Sequence, residues 1–189
     1  MKTDLSSQIK LDRIPKRYYN PDNEIELAAL RREEKLFTRI FETASDGGDF
    51  VASEMARYIN RYVARKGKCV LALGAGSSTH RAYASLIELY KEGAVSFKDV
   101  VIYIIDEFFP LNPNGPSVLA RLREVLLDHI DIKERNIRTI NPEITKETMY
   151  EYCQAYEQAI ADEGGIDVAV FEVGPHGCIG FNEPGSPEA

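Results

Sequence analysis

Tryptophan is absent from this chain, and cysteine and histidine are scarce, at three each. Cys69, Cys153 and Cys178 are odd in number and far apart, with no CxxC pair. That usage argues against a disulfide scaffold and for a reduced, intracellular chain. His80, His129 and His176 are too few and too dispersed for a multi-histidine metal centre, so no metal is expected. Basic residues do not dominate either: 23 lysines and arginines against 30 aspartates and glutamates give a formal net charge of -7. A nucleic-acid partner is disfavoured by that balance, because phosphate backbones are held by basic surfaces; a local pocket for one small phosphate stays open. No apolar run approaches the ~20 residues that span a bilayer, and the N-terminus lacks the apolar stretch of a signal peptide. The expectation is a cytoplasmic protein with no membrane contact.

What is present is enough for one globular domain. The 189 residues are 44% hydrophobic, which supports a substantial core, whereas two full domains would be crowded. Residues 1–24 are polar, with Pro15, Pro21 and the cluster Lys16-Arg17-Tyr18-Tyr19, and read as an extended arm lying on the surface or on another subunit. Residues 25–189 read as a single domain.

Apolar residues at near-helical spacing from Glu24 to Phe41 predict one amphipathic helix or two short ones. The segment Ser45-Asp46-Gly47-Gly48-Asp49 is expected to break that pattern, with a second helix from about Phe50 to Arg65. Cys69-Val70-Leu71-Ala72-Leu73 and Val100-Val101-Ile102-Tyr103-Ile104-Ile105 are continuous apolar runs of the kind that form buried parallel strands. Asn136 to Ile140 and Ile166 to Phe171 read as further strands. Helices are expected from near Ser78, over about Ser117–His129 and over about Thr145–Asp162. Strands alternating with helices of these lengths predict an α/β fold, a Rossmann-like open parallel sheet flanked by helices.

Three unusual segments directly follow three predicted strands. In open α/β sheets ligands bind at the carboxyl ends of the strands, so these segments are expected to converge. The first, Gly74-Ala75-Gly76-Ser77-Ser78-Thr79, is a turn into a helix whose free N–H groups suit an anion such as phosphate; a tight turn with Ser77 or Ser78 as helix cap is the alternative. It is not a P-loop, since the lysine is missing. The second, Asp106-Glu107 before Phe108-Phe109-Pro110, offers carboxylates for general-base work or for holding sugar hydroxyls. Alternatively, one of the two caps a neighbouring helix or pairs with an arginine. The third, Val173 to Ser186, holds His176, Cys178, Asn182, Glu183 and Ser186 among glycines and prolines. No third group to orient them is identifiable, so His176 and Cys178 are not expected to form a thiolate–imidazole pair, and Cys178 reads as a small half-buried residue. Glu183 is the better candidate for an acid, base or orienting carboxylate.

Taken in order, Leu86 to Gly93, Ser96-Phe97-Lys98-Asp99-Val100-Val101, Asp106-Glu107, Asp128 to Ile132, Gly164-Gly165-Ile166-Asp167 and Gly180-Phe181-Asn182-Glu183-Pro184-Gly185-Ser186 resemble the glucosamine-6-phosphate deaminase family, related to the 6-phosphogluconolactonases. The resemblance runs from about Phe50 to Ser186. It implies a sugar-phosphate substrate, no cofactor, a homo-oligomer in the intact protein, and conversion of glucosamine 6-phosphate and water to fructose 6-phosphate and ammonia. It also implies roles for residues: Asp106 as the base moving a proton between C1 and C2 of the opened sugar, with Glu107 beside it, Gly76, Ser77 and Ser78 as the phosphate loop, and Glu183 as support for a ring-opening histidine.

The chain departs from that pattern at its reactive centre. The ring-opening position holds Cys178, and His176 lies two residues earlier. A neutral thiol replaces poorly an imidazole that exchanges protons near pH 7, where a general acid–base step contributes ~10²–10⁴-fold. Ala75 stands where a threonine is usual, and Thr79-His80 where a proline follows the hydroxyls, with His80 placed to compensate as a phosphate donor. The resemblance further implies that basic residues holding the phosphate, and the last strands of the sheet, belong to sequence beyond Ala189, so that the sheet here is expected to be incomplete. Alternatives to a deaminase are a catalytically degenerate sugar-phosphate-binding or regulatory module and a 6-phosphogluconolactonase-like hydrolase.

Overall fold

The computed structural model describes residues 21–32, 36–110, 115–141, 144–174, 176–183 and 185. All but the last four residues of the expected arm lie outside them. Strands β1 (Cys69–Leu73) and β2 (Val100–Ile104) are buried along their whole length. Their continuous apolar character follows from having both faces covered. On one face, Cys69, Leu71, Leu73, Val100, Ile102 and Ile104 pack with Phe97, Leu86 and Leu122 in the larger core. On the other, Val70, Ala72, Val101 and Tyr103 meet Tyr156 and Ile160. Each large aliphatic side chain removed from water in this way contributes roughly 1.5–3 kcal/mol.

The sheet is parallel throughout and ordered β3-β2-β1-β4, with β3 formed by Ile137–Arg138 and β4 by Val168–Val170. This is the α/β layered architecture expected from the alternation of elements. The outer strands, at the two ends of that order, are shorter than the segments Asn136 to Ile140 and Ile166 to Phe171 that were read as strands. Asp167 fixes the register of β4: its Oδ2 accepts from the Val70 amide at 2.8 Å, its own amide donates to the Val70 carbonyl at 2.8 Å, and its Oδ1 pairs with Lys66 at 2.8 Å. Asp131 similarly holds the entry to β2, accepting from Ser96 Oγ at 2.8 Å and from the Phe97 amide at 2.6 Å.

The helices are α1 (Glu24–Arg31), α2 (Ala44–Lys66), α3 (His80–Lys91), α4 (Val118–Val125) and α5 (Met149–Asp162). Among the described residues one short helix, α1, occupies the region from Glu24 to Phe41 where one amphipathic helix or two short ones were expected. The start of α2 corrects the sequence expectation, because Ser45 to Asp49 is helical rather than a break. Thr43 caps it, with Oγ1 accepting from the Asp46 amide at 3.0 Å and donating to Asp46 Oδ2 at 2.8 Å. Gly48 lies inside because a Cβ there would stand 2.4 Å from Arg81 Cγ and 2.8 Å from Arg81 Cβ. The glycine is a contact point between α2 and α3, not a terminator. Among the described residues no helix is long and apolar enough to cross a membrane.

Candidate active site

The loops after β1, β2 and β4 meet at the carboxyl edge of the sheet around a cavity of about 620 Å³. Gly74, Ala75 and Gly76 come from the first loop, Ile105, Asp106 and Phe108 from the second, and Phe171, Glu172, Gly174, Cys178, Gly180 and Phe181 from the third. One wall is the start of α4, with Ser117, Val118, Arg121 and Glu124. The parallel sheet explains this convergence, because β4, β1 and β2 are neighbours and end on the same side.

Asp106 is where the sequence placed it, at the end of β2 and facing the cavity. Burial pushes its carboxyl above the usual range; the Phe181 amide, which donates to it, pulls the other way, and the nearby Glu172 charge adds to the rise. The loop after β4 is folded tightly enough to bring this amide in. Gly180 N–H donates to the Glu172 carbonyl at 3.3 Å, and Ile179 and Asn182 exchange backbone hydrogen bonds of 3.0 and 3.1 Å. Gly180 has φ +58, and a Cβ on it would stand 2.7 Å from Asp106 Oδ2. Only glycine satisfies both the left-handed backbone and the approach to the carboxylate. Phe108 and Phe181 meet across the mouth with ring centroids 5.0 Å apart and offer an apolar surface to a ligand.

Glu107 points away from this chemistry and does not line the cavity. It accepts four hydrogen bonds: from Phe108 N at 3.0 Å and Val118 N at 2.9 Å on Oε1, and from Ser117 Oγ at 3.0 Å and Leu119 N at 3.1 Å on Oε2. This is the helix-capping alternative, realised at the N-terminus of α4.

Cys178 is half-buried and lines the cavity, as a small residue would. Its Sγ lies 2.3 Å from where a Cβ on Gly174 would be, and its carbonyl accepts from the Gly174 amide at 2.8 Å. His176 and Glu183 are exposed and do not line the cavity. The structure therefore brings together Asp106, Gly76 and Cys178 and leaves His176, Glu183 and Glu107 outside. Pro175, Pro184 and Ser186 lie beyond the described residues. Cys69 is a core residue whose thiol burial pushes up to about 12, with Asp167 adding to the rise.

The first loop holds what sequence reasoning missed. Gly76 precedes a 3-10 turn, Ser77–Thr79, that runs into α3, so its donors face the sheet edge as expected of an anion-binding turn. They are taken by Glu172. Its Oε1 accepts from the Gly76 amide at 2.5 Å, and its Oε2 from Ser78 Oγ at 2.9 Å. Thr79 Oγ1 lies 3.2 Å from Oε1 and 3.0 Å from the Gly76 carbonyl, its one proton shared between them. Ser77 is exposed and outside the cavity. Glu172 carried the signal that flagged Asp106, a carboxylate just past a predicted strand. Also missed, Arg121 and Glu124 form an ion pair at 2.5 Å on the α4 wall. Among the described residues, no three His, Cys, Asp or Glu side chains are grouped to hold a metal ion.

The pattern described as "Glucosamine-6-phosphate isomerases/6-phosphogluconolactonase" matches residues 42–180. A glucosamine-6-phosphate deaminase-like protein of Bacteroides thetaiotaomicron is 44% identical over 187 residues, 98% of this chain and 28% of that protein. The glucosamine-6-phosphate deaminase of Thermoanaerobacter sp. is 34% identical over 135 residues, 71% of this chain and 53% of that protein. Among solved structures, a monomeric glucosamine-6-phosphate deaminase superposes with a TM-score of 0.69 at 27% identity, covering 78% of this chain and 59% of that one. The chain thus spans between about a quarter and a little over half of the length of these relatives. With its parallel sheet and convergent loops, it belongs to the glucosamine-6-phosphate isomerase/6-phosphogluconolactonase family.

Proposed function

We propose that the cavity binds the open chain of a 2-amino sugar and that Asp106 moves a proton between C2 and C1. Removal of the C2 proton and its return to C1 convert the aldehyde into a hydroxymethyl group and leave an imine at C2. Water adds there and ammonia leaves, so glucosamine 6-phosphate plus water balances to fructose 6-phosphate plus ammonia, the compound in the relatives' names being the reference substrate. The observation that carries this reading is the Asp106 carboxyl, raised by burial, facing the cavity at the end of β2. A base with a raised pKa takes a carbon-bound proton more readily, because catalytic efficiency grows as the pKa approaches the working pH. Phe108 and Phe181 give the sugar's C–H face an apolar partner.

Ring opening is the weak step. Cys178 is the only one of the pair His176 and Cys178 that reaches the cavity, so a thiol, not an imidazole, faces the sugar there. The base acts on the small fraction of sugar that opens spontaneously, and turnover is slow. The same observation favours a second reading, a binding module that holds the sugar without turnover.

Ammonia release separates the two. The slow enzyme releases ammonia above background, loses that release in Asp106→Asn, and gains in Cys178→His. Tight sugar binding with ammonia release at background in all three proteins supports the binding module and overturns the deaminase.

A further inference from the structure

The loop that would receive a phosphate already holds an anion. Glu172 takes the Gly76 amide and the Ser78 hydroxyl at 2.5 and 2.9 Å and shares that of Thr79. These are the kinds of donor an oxyanion uses at such a turn. The fit leaves no room for a second group between carboxylate and backbone. A Cβ on Gly76 would stand 1.7 Å from Oε2 and 2.4 Å from Cδ of Glu172. The described lining of the cavity is mainly acidic. Among the described residues its charged side chains are Asp106, Glu124, Glu172 and Arg121, and Arg121 pairs with Glu124 at 2.5 Å. A phosphate entering at this loop would meet the Glu172 carboxylate at close range.

We propose that Glu172 is a specificity-determining residue that occupies the place of the substrate phosphate, so that this cavity takes an unphosphorylated 2-amino sugar. The ligand class rests on the reading of the cavity as an amino-sugar site; the exclusion of phosphate rests on Glu172 alone. An ammonium group and hydroxyls complement a cavity whose charged groups are mainly carboxylates. Glu172 also serves as an immobile acceptor, because its own position is fixed by the loop.

Titration calorimetry on the whole chain tests both parts, with glucosamine, glucosamine 6-phosphate and inorganic phosphate as ligands. The proteins are wild type, Glu172→Ala and Glu172→Gln, each checked for folding by circular dichroism. Wild type is expected to bind glucosamine at least about tenfold more tightly than its 6-phosphate and to show no saturable binding of inorganic phosphate. Glu172→Ala is expected to bind inorganic phosphate and to reverse the sugar preference. Glu172→Gln, which keeps the shape and drops the charge, is expected to fall between, and it carries the test if the alanine variant does not fold. Tighter binding of the 6-phosphate by wild type, or an unchanged preference in the variants, overturns the proposal. If phosphate binding is gained in Glu172→Ala but neither sugar binds to any of the proteins, exclusion by Glu172 stands and the amino-sugar reading falls.

Discussion

Glu172 Oε1 accepts a hydrogen bond from the Gly76 amide at 2.5 Å, joining the loop after β4 to the loop after β1 at the point where a Cβ would collide with the carboxylate. The two residues are therefore coupled, and substitution of one depends on the other. Gly76→Ala is expected to cost about 1–3 kcal/mol by overpacking in wild type. In a Glu172→Ala background the same change should cost well under half as much. Urea denaturation of the four proteins of this double-mutant cycle measures the difference, and simple additivity would mean that the two residues do not press on one another.

Asp106 sets a pH dependence of known sign. Because burial raises its carboxyl in the folded state, ionising it opposes folding. The penalty is nil at low pH, where both states are protonated. It grows as pH rises from the ordinary carboxylate value and is complete above the folded value. Asp106→Asn is thus expected to raise the melting temperature at pH 7, by about 1–3 °C given the partial exposure of the group. The gain should vanish near pH 3. As the proposed base, Asp106 acts ionised, and the acid limb of the rate profile is expected above the ~4 of an ordinary aspartate.

Glu107 is a stability residue. Its four hydrogen bonds bind the β2 loop to the first turn of α4. Glu107→Ala is expected to lose about 2 kcal/mol, the cost of a strong N-cap, measured by thermal or urea unfolding. Glucosamine affinity, read below the transition, should change little beside the effect of Asp106→Asn on turnover.

The layered α/β fold was legible because β1 and β2 are short, continuous apolar runs alternating with helical segments, the pattern of strands covered on both faces. The edges of α2 were not. Gly47 and Gly48 look like a break in one dimension, and only the packing of Arg81 against Gly48 shows why glycine is needed within the helix. At the site, Asp106 was legible from its place after a strand, but the division of labour within Asp106-Glu107 was not. Which carboxylate turns toward the cavity depends on where the α4 N-terminus lies, and that is a tertiary fact. Glu172 was hidden for a related reason. Its partners are about ninety residues earlier, and nothing local says that β4 lies beside β1. Of His176 and Cys178 only Cys178 lines the cavity; residues two apart on a strand would share a face, but the chain turns between them at Gly177, φ +81, which no local pattern announced.

The proton step at C2 can be observed without waiting for ammonia. Glucosamine and glucosamine 6-phosphate incubated in deuterium oxide with the whole chain, and followed by proton NMR, should lose the C2 proton signal in the presence of wild type, glucosamine the faster at subsaturating concentration, at a rate that falls by about 10²-fold or more in Asp106→Asn. Exchange at the same rate in Asp106→Asn, or a C2 proton that persists in both sugars with wild type as it does without protein, would contradict the assignment of Asp106 as the base of this cavity.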